Sequence, residues 1–241
     1  MHQIHINTNK GDITLNFQHL RNLAYYVGHQ IGNLKGYIDD ADVFCREIEK
    51  DYQLRFNRLE QLGVFDGLNS NSTIVSIGSG VGIMDLILHK YINGGKFSLV
   101  DKTDINGDHF NKHWSAGHGF YNDWNVFMDL AVNSQVDTAN FELISPGIRW
   151  PEKVDLIWSS YSYMWHYPME EYWNQIQPYA AKGCKLSFDI LNRAETDYVK
   201  DISDLTGRQA KCSPKPYPLY HYFEKELVNV NGSCGQTAYW G

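Results

Sequence analysis

Cysteine is scarce: Cys45, Cys184, Cys212 and Cys234 are the only four in 241 residues, and no two form a Cys-x-x-Cys pair. A disulfide framework is thereby excluded, and the thiols read as small buried hydrophobes in a reducing compartment. Long apolar runs are also missing. The most apolar stretch, Thr73 to Leu88, is broken by three glycines and Asp85, short of the ~20 clean apolar residues of a membrane helix. Positive charge is in deficit, with 21 Lys and Arg against 28 Asp and Glu for a net −7. The chain as a whole therefore carries no electrostatic footprint for a polyanion. No basic segment followed by an apolar one opens the sequence, so secretion is not signalled and the cytoplasm is the expected compartment. What is present is ordinary globular usage, 43% hydrophobic and 20% charged, enriched in rings with 16 Tyr and 7 Trp. Such a chain buries about 70–75% of its unfolded surface in one large domain or a domain with a small cap.

Residues 1–14 are polar with a weak His-Ile-His-Ile alternation, a short strand or a loose tail. From Leu15 to about Leu62 apolar residues recur at steps of three and four, as at Leu20, Leu23 and Val27, and at Leu54, Arg55, Leu59 and Leu62. This spacing predicts two or three amphipathic helices. They form a helical cap segment over residues 1–68, with a second unit from 69 to 241. In the second unit, β-branched runs at 74–77, 96–101, 141–144, 154–158 and 185–190 alternate with helical stretches such as Ile83 to Tyr91. That order predicts a mainly parallel sheet covered on both faces. Strand-like pieces near Gln209–Cys212 and Gln236–Trp240 predict an antiparallel edge at the carboxyl end.

The segment Val75-Ser-Ile-Gly-Ser-Gly-Val-Gly places glycines at 78, 80 and 82 between a buried strand and a helix. Such a turn needs glycine where φ is positive or where a ligand presses on the backbone. Asp101 closes the next strand, 19 residues past Gly82, where a carboxylate can accept both hydroxyls of a ribose. A dinucleotide fingerprint would put its third glycine at the place of Ile83, and a P-loop would need Gly-Lys-Ser/Thr; neither is present.

The pattern strand, Gly-x-Gly-x-Gly, helix, strand, Asp resembles motifs I and II of the class I S-adenosylmethionine-dependent methyltransferases over roughly residues 72–190. The resemblance implies a doubly wound, Rossmann-like α/β sheet with S-adenosylmethionine as cofactor. It places Gly78, Ser79, Gly80, Gly82, Asp101 and Lys102 around that cofactor. Val154-Asp-Leu-Ile-Trp-Ser-Ser resembles the family's fourth strand, whose end, at Ser159, lies beside the methionine part. Val100-Asp-Lys-Thr, Gly119-Phe-Tyr-Asn and His166-Tyr-Pro are similar to a subgroup described as sugar O-methyltransferases.

Methyl transfer from a sulfonium is an in-line displacement, so the protein aligns the two partners and can remove a proton from a hydroxyl acceptor. His166, in the loop after the fourth strand, is a candidate base or a hydrogen-bonded member of the stretch Tyr161-Ser-Tyr-Met-Trp-His. Asp189, at the end of the fifth strand, is a second candidate base or a turn cap. Tyr161 and Tyr163 either stack on the substrate or belong to the core. His109 and His113, with Asp104 and Asp108 near, invite a metal, but the EF-hand and zincin patterns both fail and no metal is assigned. At the place of the Asp/Asn-Pro-Pro-Tyr/Phe signature of DNA amino-methylating enzymes stands Ser159-Ser-Tyr-Ser, so nucleic acid is not the expected substrate. The expectation is a soluble enzyme that methylates a small hydroxylated acceptor, with sugars among the candidates. A cofactor-binding module that acts through a partner is the alternative. An NAD(P)-dependent oxidoreductase is disfavoured by Ile83. Oligomeric state is not legible.

Overall fold

A computed structural model describes residues 1–18, 41–101, 124–145, 147–160, 162–164, 168–191, 197–214 and 235–241. The strands are β1 (His2–Ile6), β2 (Ile13–Phe17), β3 (Thr73–Ile77), β4 (Lys96–Val100) and β5 (Phe141–Ile144), then β6 (Leu156–Ser159), β7 (Lys185–Leu191), β8 (Lys211–Pro214) and β9 (Gly235–Trp240). The helices are α1 (Ala41–Gln61), α2 (Ile83–Tyr91), α3 (Trp124–Asn133), α4 (Glu170–Ala180) and α5 (Tyr198–Thr206).

Seven strands form one sheet in the order β5-β4-β3-β6-β7-β9-β8. The first five run parallel, and β9 enters antiparallel between β7 and β8. This is the mainly parallel, doubly wound sheet with an antiparallel carboxyl-terminal edge that the strand and helix alternation predicts. Side chains alternate across each strand, and both faces are apolar. Ile74, Phe97, Leu99, Leu156 and Trp158 face one buried cluster, while Val75, Ile77, Val100, Ile157 and Phe188 face another. Residues of α1, α2 and α3 fill the first cluster, and residues of α4 and α5 fill the second. β4 and β6 flank β3 on opposite sides, so the carboxyl ends of β3 and β6 form the topological switch point where such sheets bind ligands.

One expectation is corrected at the amino end. Helical character does not begin at Leu15, because Ile13, Leu15 and Phe17 are the buried positions of β2, which pairs antiparallel with β1 from His2↔Phe17 to Ile6↔Ile13. Thr14 and Asn16 alternate with them toward the other face, a period of two that overlaps the three- and four-residue steps of the following segment. The hairpin packs on α1 and α3, inside the first cluster. Of the predicted helical region, residues 19–40 lie outside the described residues.

Candidate active site

β3 ends at Ile77, and the chain then passes through Gly78, Gly80 and Gly82 with φ of 67°, 59° and 67°. Side chains other than glycine rarely adopt that region. Two of the three positions are also closed by packing. A Cβ on Gly78 would lie 1.9 Å from the Ser162 Oγ and 2.2 Å from its Cβ, and one on Gly82 would lie 2.5 Å from a ring carbon of Phe127. Gly80 differs: a Cβ there would meet no atom of the described residues within 4 Å. The described residues thus leave the middle glycine of the turn uncovered. The Gly78 N–H donates to the Val100 carbonyl at 2.7 Å, which fastens the turn to β4. The Gly80 N–H donates to Asp101 Oδ2 at 3.1 Å. Gly82, in the left-handed region, is the N-cap of α2 and brings no side chain to its first amides. Asp101, half-buried at the tip of β4, therefore already touches the turn its spacing in the sequence pairs it with.

Ser159, at the end of β6, is buried. Its hydroxyl donates to the Ile77 carbonyl at 2.8 Å and accepts from the Tyr163 N–H at 2.9 Å. The side chain thus joins the end of β6 to the end of β3 and sets the wall of the site through backbone bonds.

Asp189 is 5% exposed. Its Oδ1 accepts from the Thr237 hydroxyl at 2.6 Å and its Oδ2 from the Ser160 hydroxyl at 3.0 Å. The register explains the first bond, because Asp189 and Thr237 are directly paired across β7 and β9. Asp189 and Ser159 line the same small cleft at the carboxyl ends of the strands. Tyr163 stands apart from them. Its ring packs edge-on against Tyr172 and Phe188 in the second cluster, and its hydroxyl donates to the Met169 carbonyl at 2.6 Å. Fully buried there, with its phenol pushed up by burial and then by Glu170, it packs as core, one of the two readings its sequence allows. Lys102, Tyr161, His166 and the 102–118 loop lie outside the described residues. Among the described residues no cluster of His, Cys, Asp and Glu is suited to a metal, and no helix is long and apolar enough to cross a membrane.

Two features of the site are not legible as site residues from the turn motif. The first is Asp85, in the first turn of α2 and 2% exposed. Its Oδ1 accepts from the Trp158 indole N–H at 3.1 Å, so it pins α2 to β6 across the switch point. Burial pushes its carboxyl up to about 7, against hydrogen bonds from Ser76 and Trp158 and with a further upward push from Asp101. The signal in the sequence is an acid in the middle of the apolar run Ile83-Met-Asp-Leu-Ile-Leu. The second is the pair Arg55 and Arg58, both buried, at apolar-stripe positions of α1. They face Trp158, Ser187, Asp189 and Thr237, the polar residues that β6, β7 and β9 turn toward α1.

Asp85 makes stability depend on pH in a defined direction. Its folded-state pKa of about 7 lies above the ordinary 3.8, so the folded chain holds a proton that the unfolded chain releases. Stability should therefore fall as pH rises from about 4 to about 7 and level off above. Between pH 5 and pH 8 the contribution is roughly 3 kcal/mol. In Asp85→Asn, which stays neutral and keeps an acceptor for Trp158, urea unfolding should show a difference between those two pH values smaller by that amount. Equal pH dependence in the two proteins would mean Asp85 is ionised throughout.

A wider cavity of about 610 Å³ lies at the opposite end of the strands, beside Asp66, Asp155, Cys184 and Lys185. Two of its charged side chains have partners in the chain: Lys153 pairs with Asp155 at 3.1 Å, and Lys185 donates to the Asp66 carbonyl. It lies away from the carboxyl ends where ligands of this fold bind.

No protein-family model and no curated protein matches the sequence. Solved structures do resemble it in fold. The YcgJ protein of Bacillus subtilis is 9% identical with a TM-score of 0.50, over 77% of this chain and 97% of that one. Magnesium protoporphyrin IX methyltransferase from Synechocystis, solved with bound SAM, is 15% identical with a TM-score of 0.44, over 81% and 82%. TYW2 of M. jannaschii, in complex with AdoMet, is 10% identical with a TM-score of 0.45, over 77% and 74%. At these identities the likeness is one of fold.

Proposed function

We propose that the chain binds S-adenosylmethionine at the glycine turn and transfers its methyl group to a small hydroxylated acceptor. The observation that carries this reading is the meeting of Gly80 and Asp101 at the switch point. A left-handed glycine there is left uncovered by the described residues, and a half-buried carboxylate stands 3.1 Å from its N–H. The residues present fit the cofactor. Asp101 accepts from the ribose hydroxyls, Gly80 lets the ligand approach the backbone, and the end of β6 at Ser159 borders the methionine part. When bound, S-adenosylmethionine supplies an electrophilic methyl on a sulfonium.

The rest is the work of the chain. Tight placement of two reactants is worth several kcal/mol of barrier, and the backbone bonds of Ser159 and the Asp85–Trp158 contact hold the strand ends that provide it. Asp189, with both carboxylate oxygens accepting hydroxyl hydrogen bonds, orients the acceptor side of the cleft. His166, by its place in the sequence, is proposed as the group that takes the acceptor's proton.

The test uses purified protein and cofactor labelled in the methyl group, offered sugars, hydroxy acids, phenols, DNA and transfer RNA. Label should appear on a hydroxyl of a small molecule. Label on nucleic acid would overturn the acceptor class. Cofactor binding with transfer to no acceptor would favour a binding module that acts through a partner.

A further inference from the structure

Arg58 is a buried cation with no ion pair among the described residues. It is 7% exposed, and its one hydrogen bond there runs from Nη1 to the Thr237 hydroxyl at 3.3 Å. A guanidinium carries five donors and stays charged at any pH the protein meets, and burying it without an anion is costly. No carboxylate among the described residues stands within ion-pair distance of Arg58, and Asp189, in the same cleft, is joined to it only through the Thr237 hydroxyl. Arg55 pairs with Asp51 at 2.5 Å, and the Asp189 oxygens accept from Ser160 and Thr237. Arg58 lines a cleft with Trp158, Ser160, Ser187, Asp189 and Thr237, directly beside Ser159 at the end of β6. The cleft has only about 10 Å³ of free volume, room for one water or the end of an anionic group, not for a whole acceptor. α1 lays Arg58 over the ends of β6, β7 and β9, the side of the switch point away from Asp101 and the ribose position.

We propose that Arg58 receives a carboxylate of the methyl acceptor, which makes the substrate class hydroxylated carboxylic acids rather than neutral alcohols or sugars. The inference rests on the methyl-transfer reading above for the identity of the second ligand. Its chemistry is the charge-assisted hydrogen bond of a guanidinium to a carboxylate oxygen, stronger than a neutral hydrogen bond. The hydroxyls of Ser160, Ser187 and Thr237 provide a polar rim, and Asp189 in the same cleft accepts from two of them, Ser160 and Thr237.

The experiment measures thermal midpoints of the protein saturated with S-adenosylhomocysteine. The probes are sodium glycolate, ethylene glycol, which has the hydroxyl without the carboxylate, and sodium chloride at matched ionic strength. Glycolate should stabilise the wild-type complex saturably, and neither control should. Arg58→Gln should weaken the apparent glycolate affinity at least tenfold, with Arg58→Lys in between. No saturable glycolate effect, an equal effect of chloride, or equal affinity in Arg58→Gln would overturn the proposal. The methionine carboxylate of the cofactor is the other source of the same chemistry. If Arg58 holds that group, Arg58→Gln will lose at least tenfold in S-adenosylhomocysteine affinity while affinity for methylthioadenosine, which lacks the amino-acid end, is kept; that result also overturns the acceptor assignment. Should neither variant fold, the wild-type preference for glycolate over ethylene glycol decides alone. A wild-type protein that fails to bind S-adenosylhomocysteine would sink the methyl-transfer reading separately, and the glycolate series run without it would still decide whether Arg58 takes a carboxylate.

Discussion

Gly78→Ala is expected to cost about 2–5 kcal/mol of stability in urea unfolding, from two sources that can be separated. A left-handed conformation costs an alanine ~1–2 kcal/mol, and Gly78 has φ 67°. Forcing an extra methyl into a closed site costs another ~1–3 kcal/mol. Rotating Ser162 moves its Oγ away but not its Cβ, which would still stand 2.2 Å from the new methyl. The backbone must therefore shift, and with it the Gly78 N–H bond to Val100 that sets the turn against β4. Adding Ser162→Gly in the same chain should restore the packing part and leave the conformational part. A loss below 1 kcal/mol for the single variant would mean that the turn is not closed by Ser162.

Asp101→Ala is expected to weaken S-adenosylhomocysteine binding about 10- to 150-fold. A hydrogen bond to a charged acceptor is worth roughly 1.5–3 kcal/mol, and 1.4 kcal/mol is about a factor of ten in affinity. The substitution also removes the acceptor of the Gly80 N–H. That bond is partly exposed to solvent, so the fold itself should lose only about 1 kcal/mol. Asp101→Asn, which retains an oxygen and loses the charge, should fall between wild type and alanine. Calorimetry that finds unchanged affinity in the folded alanine variant would remove Asp101 from the ribose site.

The glycine turn was legible because its chemistry is local. A strand, three left-handed glycines and a helix occupy adjacent residues, and Ile83–Tyr91 is helical as its spacing predicts. Strand positions were legible for the same reason, although β6 starts at Leu156 rather than at Val154. The amino-terminal hairpin was not, since β2 has only the inward residues Ile13, Leu15 and Phe17, and the apolar steps that follow mask so short an alternation. The polar side of the site was harder still. Arg58 meets Thr237, 179 residues away, and Asp85 meets Trp158, 73 residues away. No spacing rule joins such pairs, because the order of strands in the sheet brings them together. The sequence marks them only as charges set in apolar stripes. Tyr163 illustrates the reverse: a tyrosine in an aromatic run reads equally as stacking platform or core, and its place between Tyr172 and Phe188 is decided by α4 packing over β7.

The central claim is that the turn at Gly78–Gly82 with Asp101 is a site for S-adenosylmethionine, and calorimetric titration of the wild-type protein addresses it most directly. S-adenosylhomocysteine should bind at one site per chain with a micromolar or tighter dissociation constant, and NAD should give no binding heat at the same concentrations. Saturable binding of NAD, or no binding of S-adenosylhomocysteine by the folded protein, would contradict the account.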